Sequence, residues 1–203
     1  VKVLETGSGI ESVPGLSFKA GPRIFHNKSA GFIEDLNSLP IPDFSMVQGK
    51  MRGGVWPVLT SRGCPFKCTF CTVTQMFGHA YRFRSKESVI RELRAIDKNC
   101  IVFFYDDNFT ADKERTKELL RMMISEKITP SWTAQVRVDV ARDEELLNLM
   151  KASNCIWVYI GFESINPDTL KAYNKRQTLE EMEHSIKALH SRGIRTVSYT
   201  HLR

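Results

Sequence analysis

The chain has 203 residues, of which 42% are hydrophobic and 26% are charged, and its formal net charge at pH 7 is +6. This composition is typical of a globular protein with a substantial core, and it excludes fibrous and disordered proteins. No apolar run approaches the roughly 18 residues of a membrane-spanning helix and no secretory signal is visible, so we expect a protein without a membrane span.

The first fifty residues are rich in turn formers, which is more typical of connecting chain than of a core. We expect residues 1–54 to be a linker that follows a missing N-terminal domain, and residues 55–203 to form a core that is truncated at its C-terminus. The turn formers are Pro14-Gly15, Gly21-Pro22, Pro40, Pro42 and Gly53-Gly54.

From residue 55 onward, segments with the pattern of strands alternate with segments that have the pattern of helices. This alternation indicates β/α units around a parallel sheet, and four to five units are too few for an eight-unit barrel. We therefore predict an α/β fold whose sheet is either open or part of a barrel that is incomplete at its C-terminal end, and we favour the incomplete barrel. The predicted strands are 55–60, 101–105, 132–138, 156–160 and 194–198, and the predicted helices are 85–98, 112–126, 143–150, a short helix opened by Asn166-Pro167, and a helix from Thr178 through 190.

The chain contains five cysteines, and three of them, Cys64, Cys68 and Cys71, fall within eight residues. An odd number of clustered thiols is not the pattern of a secreted disulfide framework. Such thiols usually bind metal or carry out chemistry in a reducing compartment, so we expect a cytoplasmic protein. We expect the other two, Cys100 and Cys155, to be buried as small hydrophobic residues.

The three clustered cysteines form a Cys-x3-Cys-x2-Cys run directly after the first predicted strand. Gly63 and Pro65 allow this loop to curl, so its thiolates can converge on one soft metal centre. A structural zinc site would need a fourth ligand, and the nearest candidate, His79, lies outside the usual spacings. The residues favour an iron–sulfur cluster with one open iron, and a non-catalytic zinc or iron–sulfur module stays as the alternative.

The cysteine run, including Phe70 before its last cysteine, resembles the cluster loop of the radical S-adenosylmethionine (radical SAM) superfamily. The resemblance extends over residues 55–195 and implies a (β/α)6-type barrel whose 4Fe-4S cluster is held by Cys64, Cys68 and Cys71. In that family SAM chelates the open iron through its amino and carboxylate groups, and reductive cleavage of its sulfonium gives a 5'-deoxyadenosyl radical.

The resemblance implies an enzyme with a small-molecule substrate and an electron donor such as flavodoxin or ferredoxin. The reaction would start with hydrogen abstraction or with methyl transfer through cobalamin. We do not expect a nucleic-acid partner, although the excess of Lys and Arg keeps an RNA-modifying, methylthiolating member of the superfamily as an alternative. The sequence identifies no catalytic residue.

Several polar residues at predicted strand ends are candidates for SAM binding, because α/β folds bind ligands at the carboxyl ends of their strands. The resemblance implies that Asp106 or Asp107 holds the amino group of SAM, and the sequence does not choose between them; the alternative is that one of them caps the following turn. Glu163 lies in a Gly-x-Glu-Ser run that resembles a family pattern and implies a contact to the ribose or the amino group, with helix capping as its alternative. Phe70 is included by resemblance alone.

Arg137 is the remaining candidate. Period-2 alternation along 132–139 places Gln135, Arg137 and Asp139 on one face, and this polar stripe is typical of a strand that lines a wet cavity. The planar guanidinium of Arg137 suits the SAM carboxylate, and a structural ion pair with Asp139 or with a residue of a neighbouring strand is the equal alternative.

Residues 32–43 resemble the connector that joins a cobalamin-binding domain to the radical SAM core in one large subgroup. The resemblance implies that the intact protein can use cobalamin, although the chain itself contains no cobalamin motif. The polar residues 197–203 depart from the family, whose members continue into further strands.

Overall fold

The computed structural model describes residues 5, 9–44, 54–78, 80–97 and 99–198. The chain divides into two compact units, Val1–Glu34 and Asp35–Arg203. His79, the nearest candidate for a fourth zinc ligand, and residues 199–203 of the divergent tail lie outside the described residues.

The first unit contains an antiparallel hairpin of β1 (Ser17–Ala20) and β2 (Arg23–His26), which the sequence analysis did not predict. The rings of Phe18 and Phe25 stack across it with centroids 5.4 Å apart. Gly21 has φ +59°, and a glycine with positive φ at the first position of a two-residue loop suits a hairpin turn. The turn formers that suggested connecting chain therefore join strands here.

The second unit is built on a five-stranded parallel sheet in the order β3-β6-β7-β8-β9. The spatial order follows the chain order, as in a barrel whose strands are added one after another, and this agrees with the predicted partial barrel. The unit also has a small antiparallel pair, β4 with β5, that was not predicted. The strands are β3 (Val55–Val58), β4 (Ser61–Arg62), β5 (Arg82–Phe83), β6 (Ile101–Phe104), β7 (Trp132–Val136), β8 (Cys155–Ile160) and β9 (Arg195–Val197).

Most helices of this unit begin at a side chain that caps the backbone. Ser85, Asp112, Asp143 and Thr178 each accept a hydrogen bond from a backbone N–H in the first helical turn, which satisfies one of the donors exposed there. The predicted capping box at Thr178 is present. The helix α1 was not predicted, and the others follow the predicted order. The helices are α1 (Val73–Phe77), α2 (Lys86–Arg94), α3 (Lys113–Ser125), α4 (Glu144–Ala152), α5 (Pro167–Ala172) and α6 (Leu179–His190).

The core lies between the sheet and the helices. Phe104 stacks on Phe109 with ring centroids 4.5 Å apart and meets Trp132 edge-on at 5.4 Å. The indole of Trp132 donates to the Ser153 carbonyl at 2.9 Å, so its polar atom is satisfied in the interior. Cys100 and Cys155 are buried, as predicted.

Residues 35–44, which precede β3, belong to the second unit and pack within it. Leu36 is only 2% exposed, and the ring of Phe44 meets Trp56 edge-on with centroids 4.8 Å apart. The division between units at Glu34 and Asp35 therefore comes twenty residues before the predicted boundary at 54. The assignment of residues 1–54 to a segment that follows another domain stays a prediction. In the part of the chain that the structure describes, no helix is both long and apolar enough to span a bilayer.

We predict that Leu36→Ala lowers the free energy of unfolding of this chain by about 2 kcal/mol or more, because it removes a buried side chain from the core. Ile41→Ala, in the same segment but 39% exposed, should cost roughly 0.5 kcal/mol or less. Urea unfolding of both variants measures the difference. Equal effects would contradict the packing of this segment on the core.

Candidate active site

A cavity of about 480 Å³ lies at the carboxyl ends of the parallel strands. The carboxyl ends of parallel strands lie at the same edge of the sheet. Polar side chains that follow the strands therefore meet there, which is why ligand sites form at this edge. The cavity is lined by the cysteine loop, by Tyr105, Asp107 and Asn108 after β6, by the end of β7, and by residues that follow β8. Its volume lies within the range of small-molecule sites.

The cysteine loop leaves the sheet through a turn that only glycine fits. Gly63 has φ +90°, and a Cβ at this position would lie 2.6 Å from the carbonyl oxygen of Ala80. Such a contact is too close for any side chain. The turn predicted at Gly63 therefore requires a residue without a Cβ.

Contacts with the turn after α5 hold the loop in place. The Thr69 N–H donates to the Tyr173 carbonyl at 3.1 Å, and the Asn174 side-chain amide donates to the Lys67 carbonyl at 2.8 Å. The ring of Phe70 meets Tyr173 edge-on at 5.1 Å. The loop is thus fixed to a segment about a hundred residues away in sequence.

All three cysteines of the loop line the cavity as free, partly buried thiols. Burial raises the pKa of Cys64, and the nearby thiols of Cys71 and Cys68 raise it further, opposed by the Phe66 backbone N–H and Arg137. All three thiols therefore share one cavity.

The described residues contain no group of three His, Cys, Asp or Glu side chains arranged to bind one metal ion together. Ligands of a single zinc share one centre, about 2.3 Å from each sulfur. The thiolates around a 4Fe-4S cluster bind different irons and stand farther apart. The donor set, three soft thiols on one loop facing a cavity, fits an iron–sulfur cluster.

Asp106 is fully buried and is not among the residues that line the cavity. Its carboxylate accepts hydrogen bonds from the Thr60 N–H at 3.2 Å, from the Thr60 hydroxyl at 2.9 Å and from the Ser61 hydroxyl. Burial raises its pKa, while these donors and Arg115 lower it. Asp106 thereby ties the end of β6 to the segment that leads into the cysteine loop.

Asp107, in contrast, lines the cavity. Its carboxylate accepts a hydrogen bond from the Gly63 N–H at 3.2 Å, and burial raises its pKa. Both carboxylates therefore accept hydrogen bonds from residues 60–63. The alternative that one of them caps the following turn is not what the structure shows.

Arg137 lies over the cysteine loop. Its guanidinium is 3.9 Å from the centroid of the Phe66 ring, and Nη1 is 3.7 Å from Cys68 Sγ. Nη2 donates to the Lys175 carbonyl, and Nε is 3.9 Å from Asp139, so the predicted ion pair is present but long. Arg137 and Gln135 also line the cavity, as the predicted polar stripe requires. The third member of that stripe, Asp139, does not, because the strand ends at Val136 and Asp139 lies in the 3-10 helix Val138–Arg142.

Glu163 and Lys175 form a buried ion pair at the edge of the cavity, with 2.9 Å between Oε1 and Nζ and side chains 11% and 9% exposed. Glu163 has φ +66°, a backbone region that residues other than glycine rarely adopt. A Cβ on Gly161 would collide with both charged groups, so the space beside this glycine is already filled by the pair. Glu163 does not cap the next helix, whose cap is Asn166.

The sequence analysis did not identify Lys175. It stands beside Arg176 in a polar stretch that is typical of a solvated surface, and no local signal shows that it is buried. The remaining predicted residue, Phe70, lines the cavity with 40% of its surface exposed.

The chain resembles known proteins over most of its length. A profile of the Radical SAM superfamily matches residues 58–202. An uncharacterized methyltransferase of Pyrococcus horikoshii is 31% identical over 201 residues, which cover 96% of this chain and 44% of the relative. The bacteriochlorophyllide d C-12(1)-methyltransferase of Chlorobaculum tepidum is 32% identical over 180 residues, 84% of this chain and 39% of the relative. The chain thus spans less than half the length of these curated relatives.

Solved structures agree with this similarity. The radical SAM methyltransferase TsrM from Kitasatospora setae, with cobalamin and a [4Fe-4S] cluster bound, superposes with a TM-score of 0.66 at 25% identity over 72% of this chain and 30% of that one. The cobalamin-dependent SAM radical enzyme OxsB superposes with a TM-score of 0.78 at 20% identity over 97% of this chain and 30% of that one, which shows the shared fold.

We predict that Glu163→Gln lowers the free energy of unfolding by about 3 kcal/mol, because it leaves the buried Lys175 ammonium without its anion. Lys175→Met should cost a similar amount alone, and the double variant should cost less than the sum of the two. Urea unfolding of the four proteins in this cycle measures the coupling. Additive single effects would show that the pair does not act as a unit.

Proposed function

The chain belongs to the radical SAM superfamily, and we propose that it is the part of a methyltransferase that binds a 4Fe-4S cluster and cleaves SAM reductively. The observation that carries this proposal is the set of three free thiols on one glycine-dependent loop, facing a cavity of about 480 Å³ at the carboxyl ends of the strands. The methyltransferases among its relatives favour methyl transfer over hydrogen abstraction as the outcome.

Cys64, Cys68 and Cys71 are the residues that would hold the cluster, because they are soft thiolate donors in one loop. When bound, the cluster supplies a reducing electron and an open iron for the amino and carboxylate groups of SAM. The protein's own contribution is to bind and orient SAM beside these thiols and to limit the access of water.

The polar side chains of the cavity suit the charged groups of SAM. We assign the amino group of SAM, whose N–H groups can donate to a carboxylate, to Asp107 rather than Asp106. Asp107 lines the cavity, whereas the Asp106 carboxylate lies outside the lining and already accepts from Thr60 and Ser61. Arg137 is a suitable partner for the SAM carboxylate. Glu163 is a suitable acceptor for the ribose hydroxyls, and Phe70 contributes an apolar wall.

We propose that the intact protein also contains a domain that binds cobalamin, the cofactor bound in the solved structure of the methyltransferase TsrM. Residues 1–54 would connect that domain to the core. A small organic molecule is the methyl acceptor. None of the five cysteines forms a disulfide, which supports a location in the reducing cytoplasm.

We predict that Cys64→Ala, Cys68→Ala and Cys71→Ala each abolish cluster assembly after anaerobic reconstitution with iron and sulfide. The wild-type chain should form 5'-deoxyadenosine from SAM after reduction, and the three variants should not. Iron and acid-labile sulfide contents and product chromatography are the measurements.

Cys100→Ala is the matched control, since Cys100 is buried away from the loop and should keep both the cluster and the product. Turnover that persists in Cys68→Ala would refute the ligand assignment. One zinc per chain with no sulfide in the wild type would support the non-catalytic module instead.

We predict that substitutions of the two adjacent aspartates affect different properties, SAM binding for Asp107 and stability for Asp106. Asp107→Asn should weaken SAM binding about tenfold, the effect of losing one charge-assisted hydrogen bond, with little change in unfolding free energy. Asp106→Asn should lower the unfolding free energy by about 2 kcal/mol, because an amide N–H₂ would face hydroxyl and backbone donors. Equilibrium SAM binding and urea unfolding test both variants. If Asp106→Asn stays folded and loses more SAM affinity than Asp107→Asn does, the assignment is reversed.

A further inference from the structure

Lys175 contacts three of the side chains that the proposed function assigns to SAM. Its ammonium donates to the Glu163 carboxylate, with 2.9 Å between Nζ and Oε1, and lies 5.6 Å from the centroid of the Phe70 ring. Its carbonyl oxygen accepts a hydrogen bond from Nη2 of Arg137. A residue outside the assigned set thus joins three members of that set.

The backbone around this ion pair adopts conformations that most residues avoid. Asn174 and Arg176, on either side of Lys175, have φ +51° and +52°, and Glu163 has φ +66°. They are three of the five non-glycine residues with positive φ in the described part of the chain. Such conformations persist only where the surrounding structure imposes them, and they cluster at functional sites.

The turn that carries Lys175 is fixed on both sides. The Lys175 N–H donates to the Leu170 carbonyl at 3.0 Å, which ties the turn to the end of α5. The Asn174 amide donates to the Lys67 carbonyl at 2.8 Å, which ties the turn to the cysteine loop. The ammonium of Lys175 is therefore placed by the fold before any ligand binds, and such preorganisation lowers the entropy cost of binding.

Stability alone does not account for a charged pair at this place. Removing two charges from water offsets most of their attraction, so a buried ion pair stabilises a fold little compared with apolar side chains of the same size. The side chains of Glu163 and Lys175 are only 11% and 9% exposed, yet both line the cavity and not the hydrophobic core. The pair is therefore placed where a ligand can meet it.

We propose that Lys175 is a positioning residue for SAM, whose ammonium holds the Glu163 carboxylate in the orientation that accepts hydrogen bonds from the ribose hydroxyls. This inference rests on the proposed function, in which Glu163 contacts the ribose. Lys175 bonds to Oε1, and a carboxylate has about four lone-pair sites on its two oxygens. The carboxylate can therefore bind the ammonium and the ribose at the same time.

The test is a double-mutant cycle on ligand binding in the cluster-loaded chain. Its members are the wild type, Glu163→Gln, Lys175→Met and the double variant. Lys171→Met is the matched control, because it makes the same change at an exposed lysine of α5. The ligands are SAM and dideoxy-SAM, in which hydrogen replaces both ribose hydroxyls, and equilibrium dialysis measures each dissociation constant.

The wild type and Lys171→Met should bind SAM at least about tenfold more tightly than dideoxy-SAM, because hydrogen bonds to a charged acceptor are lost with the hydroxyls. Glu163→Gln and Lys175→Met should each reduce this preference to about twofold, with the affinity for dideoxy-SAM within roughly twofold of wild type. Lys175→Arg keeps a cation beside Glu163 and should retain most of the preference.

The double variant shows whether Lys175 acts through Glu163. Lys175→Met should change the SAM affinity of Glu163→Gln by less than about twofold, because no carboxylate remains to be positioned. Neither charge is left unpaired in the double variant. If a single variant does not fold, the double variant should therefore still fold, and it should bind the two ligands about equally.

A wild-type preference in Lys175→Met or in the double variant, or equal weakening of both ligands in Lys175→Met, would overturn the positioning role and leave the proposed function intact. A much weaker SAM affinity in the double variant than in Glu163→Gln would show that Lys175 contacts SAM itself, and would also overturn it.

Two results in the wild type separate this inference from its premise. Equal binding of SAM and dideoxy-SAM would refute the ribose contact of Glu163 and the role of Lys175, but not the cluster or SAM binding. Failure of the cluster-loaded wild type to bind either ligand would refute the proposed function, and the role of Lys175 with it.

Discussion

The site depends on the buried carboxylate of Asp106. It sits at the end of β6 and accepts hydrogen bonds from the backbone and hydroxyl of Thr60 and from the hydroxyl of Ser61. A buried carboxylate is costly unless several donors satisfy it, and here the donors all come from the segment just before the cysteine loop. Satisfying this one group therefore fixes where the loop starts relative to the sheet.

The second attachment of the loop is at its far side. Hydrogen bonds join it to Tyr173 and Asn174, and Arg137 bridges Cys68 and the Lys175 carbonyl. The turn after α5 thus supports the cysteines and, through Lys175, brings a buried cation to Glu163. The same short segment therefore both holds the cysteine loop and supplies part of the cavity wall.

The features that were predicted correctly are those that a short stretch of sequence contains in full. The spacing of Cys64, Cys68 and Cys71 and the positive φ of Gly63 belong to one loop, and the capping box at Thr178 belongs to one helical turn. The hairpin of the first unit was missed, because Gly21-Pro22 is equally typical of linkers. The packing of Leu36 on the core was missed because one apolar residue among turn formers carries no periodicity.

The sequence by itself determined the five parallel strands and, apart from α1, the five helices that alternate with them in order, together with the family and the cysteine motif. These features depend on hydrophobic periodicity, caps and spacing along the chain. Only the tertiary structure distinguished the cavity-facing Asp107 from the buried Asp106, since the two neighbours differ in the distant residues around them and not in their own sequence. Only the tertiary structure brought Lys175 to Glu163, because the pairing of residues twelve positions apart depends on how the chain turns after α5. The physical reason is the same in both cases: burial and ion pairing are set by neighbours in space.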